Sequence, residues 1–254
     1  MYYKRMHSCL LIPLALFVSL GFPVSAEAHP HAWISVKTSV IVNDKGEAVA
    51  LREHWLFDRT YSAYASADLS PHKNGKFTEA DLLPLARENI QNLKEFSYFT
   101  VFEDAEGKSI KLEEAKDIAS AYEKAPPSAK QKVIVYALPK GASPEKDDAS
   151  ARQIAMDFTV PLATPVDLRK ASATYRVYDP TYYVDMAHYE HDPVSFISAT
   201  DGSPVASCYA KVDLPKVDQA MIFNAAALDK NATAPKDLGY YFSEKVTLSC
   251  SPPK

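Results

Sequence analysis

Glycine is scarce, with 7 in 254 residues, so loops that cradle phosphate with bare backbone have little raw material. No G-x-G-x-x-G fingerprint, P-loop, G-x-S-x-G nucleophile elbow or H-E-x-x-H occurs. An ordinary hydrolase, kinase or dinucleotide-binding reading therefore has no support. Basic charge does not dominate either: 28 Lys and Arg against 32 Asp and Glu give a net charge of −4. That balance argues against nucleic acid or an anionic membrane as partner. The apolar run "CLLIPLALFVSLG" is too short to span a bilayer, and no membrane span is expected in the rest of the chain.

That run has another use. Lys4 and Arg5 precede it and "FPVSAEA" follows it, the layout of a secretory signal peptide. Ala26 and Ala28 supply the small residues of an A-x-A site, so cleavage is expected after Ala28, making His29 the first residue of a soluble protein exported to the periplasm. Only three cysteines are present, and Cys9 would leave with the signal. In an oxidising compartment the remaining pair, Cys208 and Cys250, is expected to form a disulfide. Closing a loop of that length contributes about 4 kcal/mol on the chain-entropy model.

What is abundant is the β-branched and aromatic residues of short strands. "HAWISVKTSVIVNDKGEAVALREHWLFD" reads as a hairpin turning at Asn43–Gly46. A tight turn there would place His31 opposite Asp58 and Ser35 opposite His54. After a polar loop, "FTEADLLPLARENIQNLKEF" has apolar residues at helical spacing, predicting a helix near 79–95. Strand-like runs follow: "SYFTVFED", "KQKVIVYAL", "ARQIAMDFTVPL", "SATYRVYD", "TYYVDMAHY", "PVSFIS", "SCYAKVDL" and "KVTLSC", with a short helix expected near 215–229. The expected architecture is mainly β, an α+β fold of β-sandwich type. It divides into an N-terminal β unit over 29–138 carrying the helix, an exposed loop at 139–150 and a C-terminal β unit over 151–254.

Three groups of residues could carry chemistry. The first is His29-Pro30-His31. In an extended segment residues i and i+2 point the same way, and proline biases its predecessor toward extended geometry. A free N-terminal His29 would add its α-amine, whose ordinary pKa of about 7.7–8.0 lets a metal displace the proton near neutrality. Amine plus ring nitrogen gives a chelate of the histidine-brace kind. Pro30 lacks the amide needed by the square-planar N-terminal copper and nickel motif, which is thereby excluded. Nitrogen donors suit zinc, nickel, cobalt or copper. Asp58 and His54, on the return strand, are the candidates to complete or support this set.

The second group, His188, Glu190 and His191 in "MAHYEHDP", has ligand chemistry but also reads as a strand running into a turn at Asp192-Pro193. The nearby "YDPTYY" reads as a packed corner. The third is "SPHKNGKFTEAD", where an EF-hand frame places Ser70, His72, Asn74 and Asp81 at ligand positions. The first three carry no carboxylate, so calcium is not expected.

The stretches "HPHAWI", "LREHWLFD", "NGKFTEADLLPLA", "LKEFSYFT", "PVDLRKASATYRVYDPTYYV" and "FSEKVTLSC" together resemble a bacterial exported family catalogued as domain of unknown function 1007. The resemblance covers nearly the whole mature chain. It implies a periplasmic component associated with an uncharacterised transport system, often beside nickel/cobalt-type efflux permeases, so the implied partner is a membrane metal permease or another envelope transport component. His29, His31 and His54 match the family pattern. Ser70, His72 and Asn74 depart from it, because the family often has aspartates in that loop. The leading expectation is a metal-binding accessory protein and not an enzyme. A copper-dependent oxidase using the same brace, and a structural or partner-binding β-sandwich, are the alternatives.

Overall fold

The computed structural model describes residues 32–69, 79–124, 152–226 and 237–251. The opening hairpin forms as β1 (Ala32–Val42) and β2 (Glu47–Phe57). Its register differs from the tight-turn expectation by two residues: Lys37, not Ser35, lies opposite His54. Two local features add the offset. Asn43 exchanges backbone hydrogen bonds with Glu47 and Gly46, and Gly46 takes φ +73°, the left-handed conformation in which glycine meets no steric penalty. The register shifts again between Ile41 and Val42, where a bulge adds a residue to β2. Beyond the bulge the total slip is two, so the side chains there, His54 included, keep the face expected of them.

Two sheets result. The larger has the order β5-β6-β2-β1-β8, with β9 also pairing with β1, where β5 is Lys116–Lys124, β6 Arg152–Asp167, β8 Val184–His188 and β9 Val194–Ser198. β8 and β9 follow each other along one edge of β1, both parallel to it. The smaller sheet has the order β10-β11-β7-β3-β4, formed by β3 (Thr100–Glu103), β4 (Ser109–Ile110), β7 (Ala173–Val177), β10 (Cys208–Asp213) and β11 (Lys245–Cys250). The protein is mainly β and sandwich-like, as the strand spacing predicts. Both sheets draw strands from either side of the 139–150 stretch, and one continuous core contains residues from both parts of the chain. The stretches "KQKVIVYAL" and 139–150 lie outside the described residues.

Packing follows alternation. On β1 and β2, Ile34, Val36, Val40, Leu51, Trp55 and Phe57 face inward and are buried. Trp55 packs edge-on against Phe158 of β6, ring centroids 4.9 Å apart. The expected helix is present as α2 (Leu82–Leu93) after a 3-10 turn at Glu79–Asp81, and buries Leu82, Ala86 and Ile90. It packs on the large sheet, where Phe57, Ile154 and Met156 line a small gap together with Leu82, Leu85 and Ala86.

The residues after Phe57, expected as a polar loop, begin instead with a helix, α1 (Arg59–Leu69). Its apolar periodicity is weak, but Asp58 caps it, accepting from Tyr61 N–H at 2.9 Å. The short C-terminal helix is α3 (Gln219–Ala226), with Asp218 accepting from Met221 N–H at 2.8 Å. A further short helix, α4 (Leu238–Phe242), packs on the corner at Asp179. Gly239 is required there, since a Cβ would meet Asp179 O at 1.8 Å. The corner is packed as read: Tyr182 is buried and stacked on Phe242, centroids 4.0 Å apart. Cys208 and Cys250 are bonded, and they face each other across β10 and β11. The disulfide therefore ties the last strand to its neighbour.

Candidate functional site

β2 sits in the middle of the large sheet, so its two faces meet different surroundings. His54 projects from the outer face. Asp157 stands opposite it on β6, and its Oδ1 lies 3.0 Å from His54 Nδ1. On the other side of the ring, Nε2 is 3.6 Å from Glu123 Oε2 of β5 and 3.4 Å from Tyr189 Oη. Tyr189 follows β8 and folds over Leu56 and Ala155, forming a small apolar floor beside the imidazole. The cluster is open to solvent: the side chains of His54, Asp157 and Glu123 are 22%, 40% and 41% exposed.

Burial by itself lowers the His54 pKa. The hydrogen bond and charge of Asp157, with the charge of Glu123, outweigh burial and Lys37, and the net shift is upward. Asp157 as acceptor from Nδ1–H would leave the lone pair on Nε2, the arrangement by which carboxylates orient metal-binding histidines. Two donors at about 2.0–2.1 Å from a tetrahedral ion are separated by roughly 3.3–3.4 Å. The Nε2 to Oε2 separation is close to that chord. Among the described residues, however, no group of three or more His, Cys, Asp or Glu side chains is arranged to hold an ion.

The other predicted positions are distributed as follows. Asp58 is buried at the end of β2; besides capping α1 it accepts from Trp33 N–H through Oδ2 at 2.9 Å. Trp33 is the residue at its level, since Asp58 N–H donates back to Trp33 O. Both oxygens of Asp58 thus serve backbone amides, and it ties the start of β1 to the start of α1. His188 points inward, while Glu190 and His191 are exposed in the turn beyond β8, so the three are not brought to one place. Asp81 belongs to the 3-10 turn before α2. His29, His31, Ser70, His72, Asn74 and the cleavage position Ala28 lie outside the described residues.

Behind the outer cluster runs a second, enclosed one. Glu244 Oε2 accepts from His188 backbone N–H at 2.7 Å and lies 2.8 Å from His188 Nδ1. His188 Nε2 is 3.2 Å from Tyr175 Oη. Deeper still, Thr38 donates to Glu53 Oε2 at 2.9 Å. Burial outweighs the help from Thr38 and Trp55 and raises the Glu53 pKa from 4.5 to about 8, so the carboxyl is neutral at pH 7. Burial, with the charge of Glu53, pushes the Tyr175 phenol well above its ordinary range. Asp185, paired with Trp33 across β8 and β1, is raised to about 6 by burial and by the charge of Glu244.

Sequence reasoning missed Asp157, Glu123, Tyr189 and Glu244. Asp157 had a visible signal, a carboxylate inside the apolar run "QIAMDFTV". Glu123 and Glu244 stand among other charged residues, and nothing local distinguishes them.

With this geometry in view, the chain can be placed among known proteins. The family described as Protein of unknown function (DUF1007) matches residues 14–250. The chain belongs to that family. It is also similar to an uncharacterized protein of Haemophilus influenzae, 27% identical over 238 residues, which cover 93% of this chain and 96% of that one. No solved structure matches it. The family and the relative carry no described activity.

Proposed function

We propose that this is an exported transition-metal-binding accessory protein of an envelope metal transport system. Its ligands are His29, through amine and ring, and His31, with His54 as the partner contributed by the folded sheet. The observation that supports the reading is the environment of His54. One ring nitrogen is anchored by Asp157, and the other faces Glu123 at a separation suited to two ligands of one ion. Two donors do not make a site, and the reading assigns the further nitrogen donors to His29 and His31. The donor set of imidazole, amine and carboxylate fits zinc, nickel, cobalt or copper.

The chain's own work in this proposal is orientation. Asp157 fixes the imidazole tautomer, Tyr189 limits the ring's swing, and Glu123 supplies compensating charge. Release to a membrane permease would proceed by exchange of these exposed donors.

The test combines intact mass of the exported protein with calorimetric titration of zinc, nickel, cobalt and copper. A cut after Ala28 is expected, with at least tenfold weaker binding of the preferred ion in His29→Ala, His31→Ala and His54→Gln. A cut elsewhere removes the amine from the site. Unchanged affinity in all three variants would overturn the proposal and leave a sheet whose histidine is an ordinary ion-paired residue.

A further inference from the structure

A different part of the molecule has the marks of a ligand site. At one end of the small sheet, where β7, β10 and β11 meet α4, lies an open pocket of about 260 Å³. Arg176 of β7 occupies its wall. The Nη1 of Arg176 donates to Ser243 O at 2.9 Å and to Ser243 Oγ at 3.0 Å, and its guanidinium lies 4.6 Å from the centroid of the Tyr240 ring. Ser243 is itself buried and bonded to Tyr240 O through its hydroxyl at 2.7 Å. The arginine is thus held in one orientation by a fixed partner and by a ring face. Among the described residues no carboxylate forms an ion pair with it.

A guanidinium has five N–H donors, and these contacts engage only one of its nitrogens. Arginine in a partly buried position ordinarily meets a carboxylate or phosphate, because its planar fork matches their oxygens in pairs. Here the guanidinium is held by a carbonyl, a hydroxyl and a ring face. Lys216 and Lys245 line the same pocket, also without a carboxylate partner among the described residues. The acid that lines it, Asp213, is engaged by Lys211 at 2.6 Å. In a chain of net charge −4 this is a local concentration of positive charge. Tyr240 and Tyr241, 45% and 54% exposed, supply ring faces set nearly perpendicular to each other.

The contrast with the larger groove beside β3 and β4 is instructive. That groove, about 700 Å³, is also lined by charged residues, but Lys94 is paired with Glu114 at 3.3 Å and Lys111 with Glu113 at 3.5 Å. Its charges cancel locally. Those of the Arg176 pocket do not.

We propose that the Arg176 pocket binds a small organic anion, a carboxylate or phosphate ester whose charged group meets Arg176, Lys216 and Lys245 and whose flat or apolar body rests on Tyr240 and Tyr241. The volume suits a ligand of one ring, below the usual size of a drug-like pocket. This inference does not depend on the metal reading, since it uses none of the same residues.

Calorimetric titration at low ionic strength with phenyl phosphate, benzoate and inorganic phosphate tests it on the full chain. Saturable binding of phenyl phosphate or benzoate is expected, and which of them is tighter assigns phosphate or carboxylate as the anionic group. Inorganic phosphate should bind at least tenfold more weakly than phenyl phosphate, because it has no body to rest on the rings. Arg176→Lys should weaken the ring-bearing probe at least tenfold. Because Arg176 also holds Ser243, the double variant Lys216→Gln/Lys245→Gln and the single variant Tyr240→Ala provide independent readings on exposed side chains. Each should reduce affinity severalfold with an unchanged circular dichroism spectrum. No saturable binding of any probe up to about 10 mM, or affinity unaltered in both of these variants, overturns the proposal.

Discussion

The outer cluster around His54 and the enclosed one around His188 use similar side chains to opposite ends. They are joined through the chain itself, for Glu53 precedes His54 and His188 precedes Tyr189. Alternation along β2 sends Glu53 inward and His54 outward, and the turn after β8 likewise separates His188 from Tyr189. Inside, the His188 and Glu244 side chains are only 3% and 7% exposed, and the imidazole touches Glu244 and Tyr175. Outside, the imidazole leans on Asp157 and faces partly exposed oxygens. A histidine with both nitrogens enclosed by protein is a structural element. One whose second nitrogen faces solvent and a carboxylate is positioned to meet a ligand. The comparison shows that histidine in a strand carries no functional meaning until its face is known.

Breaking the enclosed cluster should have the largest effect. Glu244→Ala leaves the His188 ring and its backbone N–H without this shared acceptor, and each buried polar group left unsatisfied costs about 1–3 kcal/mol. Urea denaturation monitored by circular dichroism should show a much lower midpoint. A midpoint within experimental scatter of the wild type would mean that the pair is not closed as described.

The pH dependence of stability comes next. The folded-state pKa values of Glu53 and Asp185, about 8 and about 6, lie above their ordinary values of 4.5 and 3.8. The folded protein therefore holds these protons more tightly than the unfolded chain. Their contribution is fully present below the unfolded values and is lost as pH rises, through about 6 for Asp185 and about 8 for Glu53. Stability should therefore fall as pH rises from about 4 to about 8. Glu53→Gln, neutral at every pH, should flatten the upper part of that profile; a variant retaining the full slope would assign it to other groups.

The smallest effect on stability belongs to the outer cluster. His54→Gln breaks only partly exposed ion pairs, which are worth about 0–1 kcal/mol. The same substitution is expected to change metal affinity at least tenfold, so stability and binding separate at this site and not at His188. A loss of several kcal/mol in His54→Gln would erase the distinction between the two faces.

Much of the fold was legible because its signals are local. The hairpin is written in alternation and in Asn43–Gly46, α2 in the spacing of Leu82, Ala86 and Ile90, and the disulfide in the pair Cys208 and Cys250 of the C-terminal part. Other elements were not legible for equally physical reasons. α1 has little apolar periodicity and rests on its cap and on tertiary contacts such as Ser62 Oγ, which accepts from Ile154 N–H at 2.9 Å. β5, "KDIASAYEK", has charged ends and small residues within, and it is held as a strand by its pairing with β6. β6 is buried on both faces from Gln153 to Val160, Asp157 apart, so its pattern there shows no clean alternation to say which side is in.

The candidate site divides the same way. The sequence by itself determined that His29, Pro30 and His31 follow the small-residue stretch Ala26-Glu27-Ala28, and that His54 lies on a strand with alternating neighbours. These follow from covalent order and from the two-residue period of extended backbone. Only the tertiary structure decided which face of that strand the second sheet and α2 would cover. It also brought Glu123, Asp157 and Tyr189 to the His54 ring from remote parts of the chain, and Arg176, Ser243 and Tyr240 to one pocket. Those meetings depend on strand order and register, which are set by burying the apolar faces of both sheets at once.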